Sequence, residues 1–227
     1  MEQKKKKFAI TIDGPAGSGK TTTAKRVARE LDFLHLDSGA LYRAVTLKVL
    51  RSGVDPGDDE RVAEIAEKCD LQLKYFDNSL HVYLDGQDVT RKIRTPEVTA
   101  AISPVAANPR VREILTARQR ELARDKGVVV EGRDTGTVVF PDADLKIFMV
   151  ASIEERASRR FEELTEQGIK VDYQDLVQQI RQRDENDRTR KHSPLKKPKD
   201  AVVLDTTGLS IDEQVQFVVQ KARERGA

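Results

Sequence analysis

Apolar positions along the chain fall into two rhythms. Phe8, Ala9, Ile10, Thr11 and Ile12 form a short continuous run that predicts a buried strand. After Lys20 the rhythm changes, with Ala24, Val27, Ala28 and Leu31 at i, i+3, i+4 and i+7, the spacing of one helix face. Further runs at Val128 to Val130, Leu145 to Ala151 and Val202 to Leu204 predict buried parallel strands with helical stretches between them. Val215, Val218, Val219 and Ala222 share one face of a last helix. Strands that alternate with helices predict an α/β fold, a parallel sheet covered by helices, with ligands at the carboxyl ends of the strands. Between about Leu71 and Arg94 the period drops to two. Leu71, Leu73 and Tyr75, then Leu80, Val82 and Leu84, alternate with polar residues, and turns are expected at Asp77-Asn78 and Asp85-Gly86. That segment predicts a small antiparallel insert.

The 227 residues suit one α/β folding unit with an elaboration. No apolar run approaches the roughly 20 residues of a membrane helix, and no signal peptide is apparent at the N-terminus. Cys69 is the sole cysteine, so a reducing cytoplasm is expected. Forty basic residues against 38 acidic ones leave no global field that would draw nucleic acid or a membrane. Lys4 to Lys7 read as a solvated tail.

Chemistry enters at Gly14-Pro-Ala-Gly-Ser-Gly-Lys-Thr21, which satisfies the Walker A pattern at Gly14, Gly19, Lys20 and Thr21. Its context is right, directly after a predicted strand and before a predicted helix. Successive backbone N–H groups and the positive helix end would converge on a β-phosphate, Lys20 would reach the β- and γ-oxygens, and the Thr21 hydroxyl would coordinate Mg²⁺. A GTPase switch would add a DxxG turn and a later NKxD. Asp205-Thr-Thr-Gly208 has the first form, but nothing after it spells NKxD, so it reads as a strand-end loop that could lie against an adenine. The Asp-Glu strand end of a motor or AAA-type ATPase is also lacking, since Val128 to Val130 lead into Glu131-Gly-Arg-Asp134.

An enzyme that moves a phosphoryl group onto another phosphate needs arginines more than a base, because the acceptor's second pKa of about 6 leaves it dianionic at neutral pH. Candidates are Arg43, Arg112 and Arg133, with a dense set at Arg156, Arg159, Arg160, Arg181, Arg183, Arg188 and Arg190 that resembles a mobile cationic lid. Asp184 with Arg188, and Arg183 with Asp187, have the i, i+4 spacing of ordinary helix-surface pairs. No Cys or His cluster has metal-site spacing, and His35, His81 and His192 are scattered.

Three segments carry a family resemblance: Ile12-Asp-Gly-Pro-Ala-Gly-Ser-Gly-Lys-Thr21, Leu36-Asp-Ser-Gly-Ala-Leu-Tyr-Arg43, and Glu131-Gly-Arg-Asp-Thr-Gly-Thr-Val-Val-Phe-Pro-Asp142. Together they resemble bacterial cytidylate kinases, within the nucleoside monophosphate kinases, over nearly the whole chain. The resemblance implies a P-loop NTPase with a five-stranded parallel sheet flanked by helices, in a single domain over residues 8–227. Within it the core covers about 8–64 and 105–227, the monophosphate-binding insert about 65–104, and the Arg-rich lid about 156–190. It implies transfer from ATP, with Mg²⁺, to CMP or dCMP in a cytoplasmic monomer, UMP or another small acceptor being the alternative.

Carried over by position, Gly14, Pro15, Ala16, Gly17, Ser18, Gly19, Lys20, Thr21 and Thr22 would hold ATP, with Thr21 on the metal. Ser38, Arg112 and Asp134 would read cytosine. Arg43, Arg133 and Arg190 would hold the CMP phosphate, and Ser103, Arg183 and Asp187 the sugar hydroxyls. Lys20, Arg133, Arg160 and Arg190 would act on the transferred group.

Overall fold

The computed structural model describes residues 7–76, 79–166 and 168–227; Lys4 to Lys6 of the basic run and the expected Asp77-Asn78 turn lie outside them. The chain divides into two compact units, one running up to Leu36 and resuming over Asp125–Ala227, the other continuous over Asp37–Arg124.

The first unit is built on a five-stranded sheet. Its strands are β1 (Ala9–Asp13), β2 (Leu34–Asp37), β6 (Val128–Gly132), β7 (Leu145–Val150) and β8 (Val202–Asp205), in the order β2-β6-β1-β7-β8. Strand β1 pairs in parallel with β6 on one side and β7 on the other, with Ala9 opposite Val128 and Ile10 opposite Leu145. The chain therefore leaves β1 at the point where the strand order reverses, the crevice where such sheets bind ligands. Helices α1 (Lys20–Leu31) and α8 (Ile211–Arg223) cover one face. Their apolar stripes, Ala24, Val27 and Ala28 with Val215, Val218, Val219 and Ala222, bury Ile10, Ile12, Val129, Ile147, Met149 and Leu204 in a single cluster. Helix α8 starts on a capping box of Ser210 and Glu213, which satisfies two of the otherwise orphaned donors.

Helices α6 (Ile153–Glu166) and α7 (Tyr173–Thr189) form a hairpin with its own small core of Ala157, Leu164, Leu176, Val177 and Ile180. This is the arginine-rich stretch expected to be a lid, and Asp172 caps α7 through the amides of Gln174 and Asp175.

In the second unit, helices α2 (Ser38–Arg51), α3 (Asp59–Lys68), α4 (Pro96–Ala107) and α5 (Pro109–Leu122) surround a separate apolar cluster. The expected antiparallel insert is there as β3 (Leu71–Phe76), β4 (Ser79–Leu84) and a two-residue β5 (Gln87–Asp88). Leu71 faces Leu84, Leu73 faces Val82 and Tyr75 faces Leu80, so the alternating apolar residues share one side. Asp85 and Gly86 make the β4–β5 turn with φ of 50° and 78°, the paired positive values of a type I′ hairpin. Thr95 and Asn108, each followed by a proline, cap α4 and α5.

Candidate active site

The segment from Gly14 to Gly19 joins the end of β1 to the start of α1. Gly19 is the N-cap and no side chain satisfies the first turn, so the N–H groups of the helix end face the loop unclaimed by a cap. The loop is packed from behind at Gly14, where a Cβ would stand 2.2 Å from the Met149 carbonyl oxygen, a backbone atom of β7. Gly14→Ala is expected to destabilise the fold by about 1–3 kcal/mol through overpacking and to weaken ATP binding, checked by urea unfolding and by titration calorimetry with ATP.

Lys20, 6% exposed, donates to the Pro15 carbonyl at 2.5 Å and to Ser18 Oγ at 3.2 Å. Burial, and then the nearby Arg133 guanidinium, push its pKa down to about 7; Arg183 acts in the same direction, while Glu131 and Asp13 oppose it. A buried ammonium with cations beside it is what an incoming polyphosphate would relieve. Thr21 and Thr22 are exposed in the first turn of α1, and a threonine hydroxyl is the hard oxygen donor that suits Mg²⁺. Among the described residues no group of three or more His, Cys, Asp or Glu side chains forms a metal cage of its own.

Two neighbours hold the loop's outer edge. Thr206, in the strand-end loop after β8, donates its hydroxyl toward the carbonyls of Ser18 and Val150, each at 3.1 Å. Arg159 in turn donates to the Thr206 carbonyl at 2.8 Å. Arg156 of α6 donates to the Ala16 carbonyl at 3.1 Å and pairs with Asp184 Oδ2 at 2.6 Å. Asp184 was expected on an open helix surface beside Arg188. It is instead buried, because α6 packs over that face of α7.

Of the residues expected on the acceptor side, Arg133, Asp134, Asp187 and Arg190 come together in the first unit. Arg133 Nε donates to Asp187 Oδ2 at 2.7 Å, and Arg190 Nη2 lies 3.5 Å from Asp134 Oδ1. Arg190 is also anchored by Nε donating to the Ser193 carbonyl at 2.7 Å. Burial alone would raise the Asp187 carboxyl, but Arg133, with Arg183 and Arg190, brings it below the usual carboxylate value. Arg183 lies one helical turn before Asp187 on α7. Arg160 is elsewhere, in an exposed pair with Glu163 at 2.8 Å along its own helix.

The others lie in the second unit. Ser38 opens α2 and is buried, behind an N-cap in which Asp37 Oδ1 accepts from the Ala40 amide at 2.9 Å. Arg94, which ends the insert and carried no assigned role, holds the other oxygen of Asp37 at 2.9 Å. Tyr42, one turn after Ser38, carries the Arg112 guanidinium 5.3 Å from its ring centroid, while Arg112 donates to the Ala106 carbonyl at 2.8 Å. Ser38 and Arg112 thus share one neighbourhood. Arg43 donates to Thr99 Oγ1 at 2.9 Å, and Ser103 follows Thr99 by one turn of α4.

The family profile described as cytidylate kinase matches residues 10–224. The chain belongs to the cytidylate kinase family. Among curated members, the cytidylate kinase of Caldicellulosiruptor bescii is 50% identical over 215 residues, which is 95% of either chain. That of Shouchella clausii is 46% identical over 219 residues, 96% of this chain and 97% of its own. A crystal structure of an uncharacterized protein from Eubacterium ventriosum ATCC 27560 covers 95% of this chain and 98% of its own. It has a TM-score of 0.54 at 12% identity, a likeness of fold alone. As a family kinase the chain uses ATP, and no helix of its described residues is long and apolar enough to cross a membrane.

Proposed function

We infer that the chain transfers the γ-phosphoryl group of ATP to CMP or dCMP, giving ADP and CDP or dCDP. The observation that carries this reading is the joint occurrence of the family match over residues 10–224 and a Walker A loop whose buried Lys20 sits among Arg133 and Arg183. In this reading the Gly14 to Gly19 amides cradle the β-phosphate, and Lys20 leaves its seat on Pro15 to follow charge onto the β- and γ-oxygens. Mg²⁺, held through Thr21, would supply neutralisation of those oxygens.

The acceptor needs no strong base. Arg43, Arg133 and Arg190 would clamp its phosphate, with Arg133 exchanging Asp187 for the ligand. Asp134 can accept from the exocyclic amine of cytosine, and Arg112 can donate to the ring nitrogen or carbonyl. Ser38 would complete base recognition, and Ser103, Arg183 and Asp187 would serve the sugar hydroxyls. Arg160, paired with Glu163 along its own helix, would join the transferred group only by exchanging that partner on closure of the α6–α7 hairpin. We take the chain to act as a cytoplasmic monomer, checked by sedimentation and fractionation.

The test is ADP release with ATP and Mg²⁺ against CMP, dCMP, UMP, AMP, GMP and no acceptor. CMP and dCMP are expected to lead in kcat/KM. Asp134→Ala is expected to lower kcat/KM for CMP by about 1–3 kcal/mol of recognition while affecting UMP less, because UMP lacks the amine that the carboxylate accepts from. If another acceptor leads the panel, the cytosine assignment falls and the P-loop kinase reading remains.

A further inference from the structure

One buried acid makes more hydrogen bonds than its place at a strand end requires. Asp13 closes β1, is 1% exposed, and lies opposite Gly132 in the β1–β6 ladder. Ile10 and Ile12 point into the apolar cluster under α1 and α8, so Thr11 and Asp13 point to the opposite face of the sheet. There Asp13 Oδ1 accepts from the Thr135 amide at 2.9 Å and the Thr135 hydroxyl at 2.8 Å, and Oδ2 accepts from the Gly136 amide at 2.7 Å. All three donors belong to one wide helical turn, Thr135–Val139, which follows Arg133 and Asp134 directly. The approach is close enough that a Cβ on Gly136 would stand 2.8 Å from Thr11 Oγ1.

We propose that Asp13 is a positioning residue for acceptor selection, fixing the turn that aims Asp134 and Arg133 and tying it to the strand that leads into the phosphate loop. The proposal rests on the reading of Asp134 as the group that selects cytosine. Burial raises the Asp13 carboxyl, and the donors that oppose this, on both of its oxygens, come from a single turn. Two oxygens holding three donors fix the rotation of that turn as well as its distance, which one hydrogen bond would not. The Asp134 carbonyl is the turn's own acceptor, taking the Val138 amide at 2.9 Å, so a rotation of the turn moves Asp134 with it. Misplacement of a recognition group by about 1 Å can lower a rate about 10²-fold.

The experiment compares kcat and KM for CMP and for UMP at saturating ATP in the wild type, Asp13→Asn, Thr135→Val and Thr135→Ser. Asparagine turns an NH₂ toward a donor and breaks one side of the lock; valine removes the hydroxyl donor and leaves the carboxylate in place. Asp13→Asn and Thr135→Val are expected to lower the CMP to UMP ratio of kcat/KM by about tenfold, mainly through the KM for CMP, as for loss of a hydrogen bond to a charged group. The KM for ATP, read separately at saturating CMP, should move less than the KM for CMP, and Thr135→Ser should restore the ratio. If both variants lose activity toward CMP and UMP in equal proportion, Asp13 only braces the fold and the proposal is overturned. Should Asp13→Asn fail to fold, the threonine pair decides the question alone. A wild type with no preference for CMP removes the reading of Asp134 and this proposal together, whereas a CMP-selective wild type with unchanged ratios in the variants removes this proposal only.

Discussion

Lys20→Ala is expected to remain folded and to lose at least about 10²–10³-fold in kcat with ATP and CMP, the loss that follows removal of one preorganised donor to developing charge. Stability should not suffer, because in the free protein Lys20 is a burden. It is buried, its ammonium is seated on Pro15 O and Ser18 Oγ, and burial with Arg133 and Arg183 outweighs the support of Glu131 and Asp13. The sign of the pH dependence follows from the same facts. The unfolded lysine keeps its proton to about pH 10.4, whereas the folded one releases it near 7. Between those values the unfolded state binds more protons, so this residue's contribution makes the wild type more stable as pH rises. Below about 7 both states are charged and the whole cost of the buried ammonium remains. Lys20→Ala should flatten that slope and melt at or above the wild-type temperature at neutral pH. Circular dichroism melts at several pH values, read beside steady-state kinetics, check both halves; an unchanged kcat would refute the role given to Lys20.

Arg156→Ala and Asp184→Ala should each cost about 3–5 kcal/mol of folding stability, since either change leaves an uncompensated charge in the interior. The pair is 2.6 Å apart with side chains 7% and 8% exposed, and among the described residues Asp184 Oδ1 has no hydrogen-bond partner to fall back on. Arg156 also donates to the carbonyls of Ala151 and Ala16, so its loss unties α6 from the phosphate loop as well as from α7. Replacing both by apolar residues of similar volume, Arg156→Met with Asp184→Leu, should cost less than either single change, because no orphaned charge remains. Urea unfolding of the four proteins ranks the single changes against the apolar pair. If the single variants lose under about 1 kcal/mol, the pair behaves like a surface ion pair and its role as a buried tie is refuted.

Local signals carried much of the architecture. Strands β1, β6 and β7 were readable because central parallel strands are apolar on both faces and stand out as continuous runs, and β8, though at a sheet edge, keeps the apolar run Val202 to Leu204. Strand β2 was not, since Leu34–Asp37 alternates with His35 and Asp37 and occupies the sheet edge. The phosphate loop was readable for the same local reason, its glycines, lysine and threonine lying within eight consecutive residues.

Partners distant in sequence were harder to see. Periodicity alone offered Asp184 a neighbour one turn away on its own helix; its partner in the fold, Arg156, lies 28 positions back across a helix hairpin. Asp13 stood inside a recognised motif yet carried no assigned role, because its donors are 122 and 123 residues further on. Arg94 carried no assigned role either, since nothing in its local sequence marks it as the partner of Asp37, 57 residues earlier.

The central position of β1 has a consequence for how the chain is made. Its partners begin at Val128 and Leu145, so a nascent chain that has already emitted β1 has nothing to pair it with. At about 5–20 residues per second, the 119 residues from Ala9 to Val128 keep that strand waiting roughly 6–24 s. The segment Asp37–Arg124 is continuous and can condense on its own contacts during that interval, while the strand beside the phosphate loop stays an open edge. Synthesis therefore orders the two units in time, and the nucleotide-binding half is the last to exist.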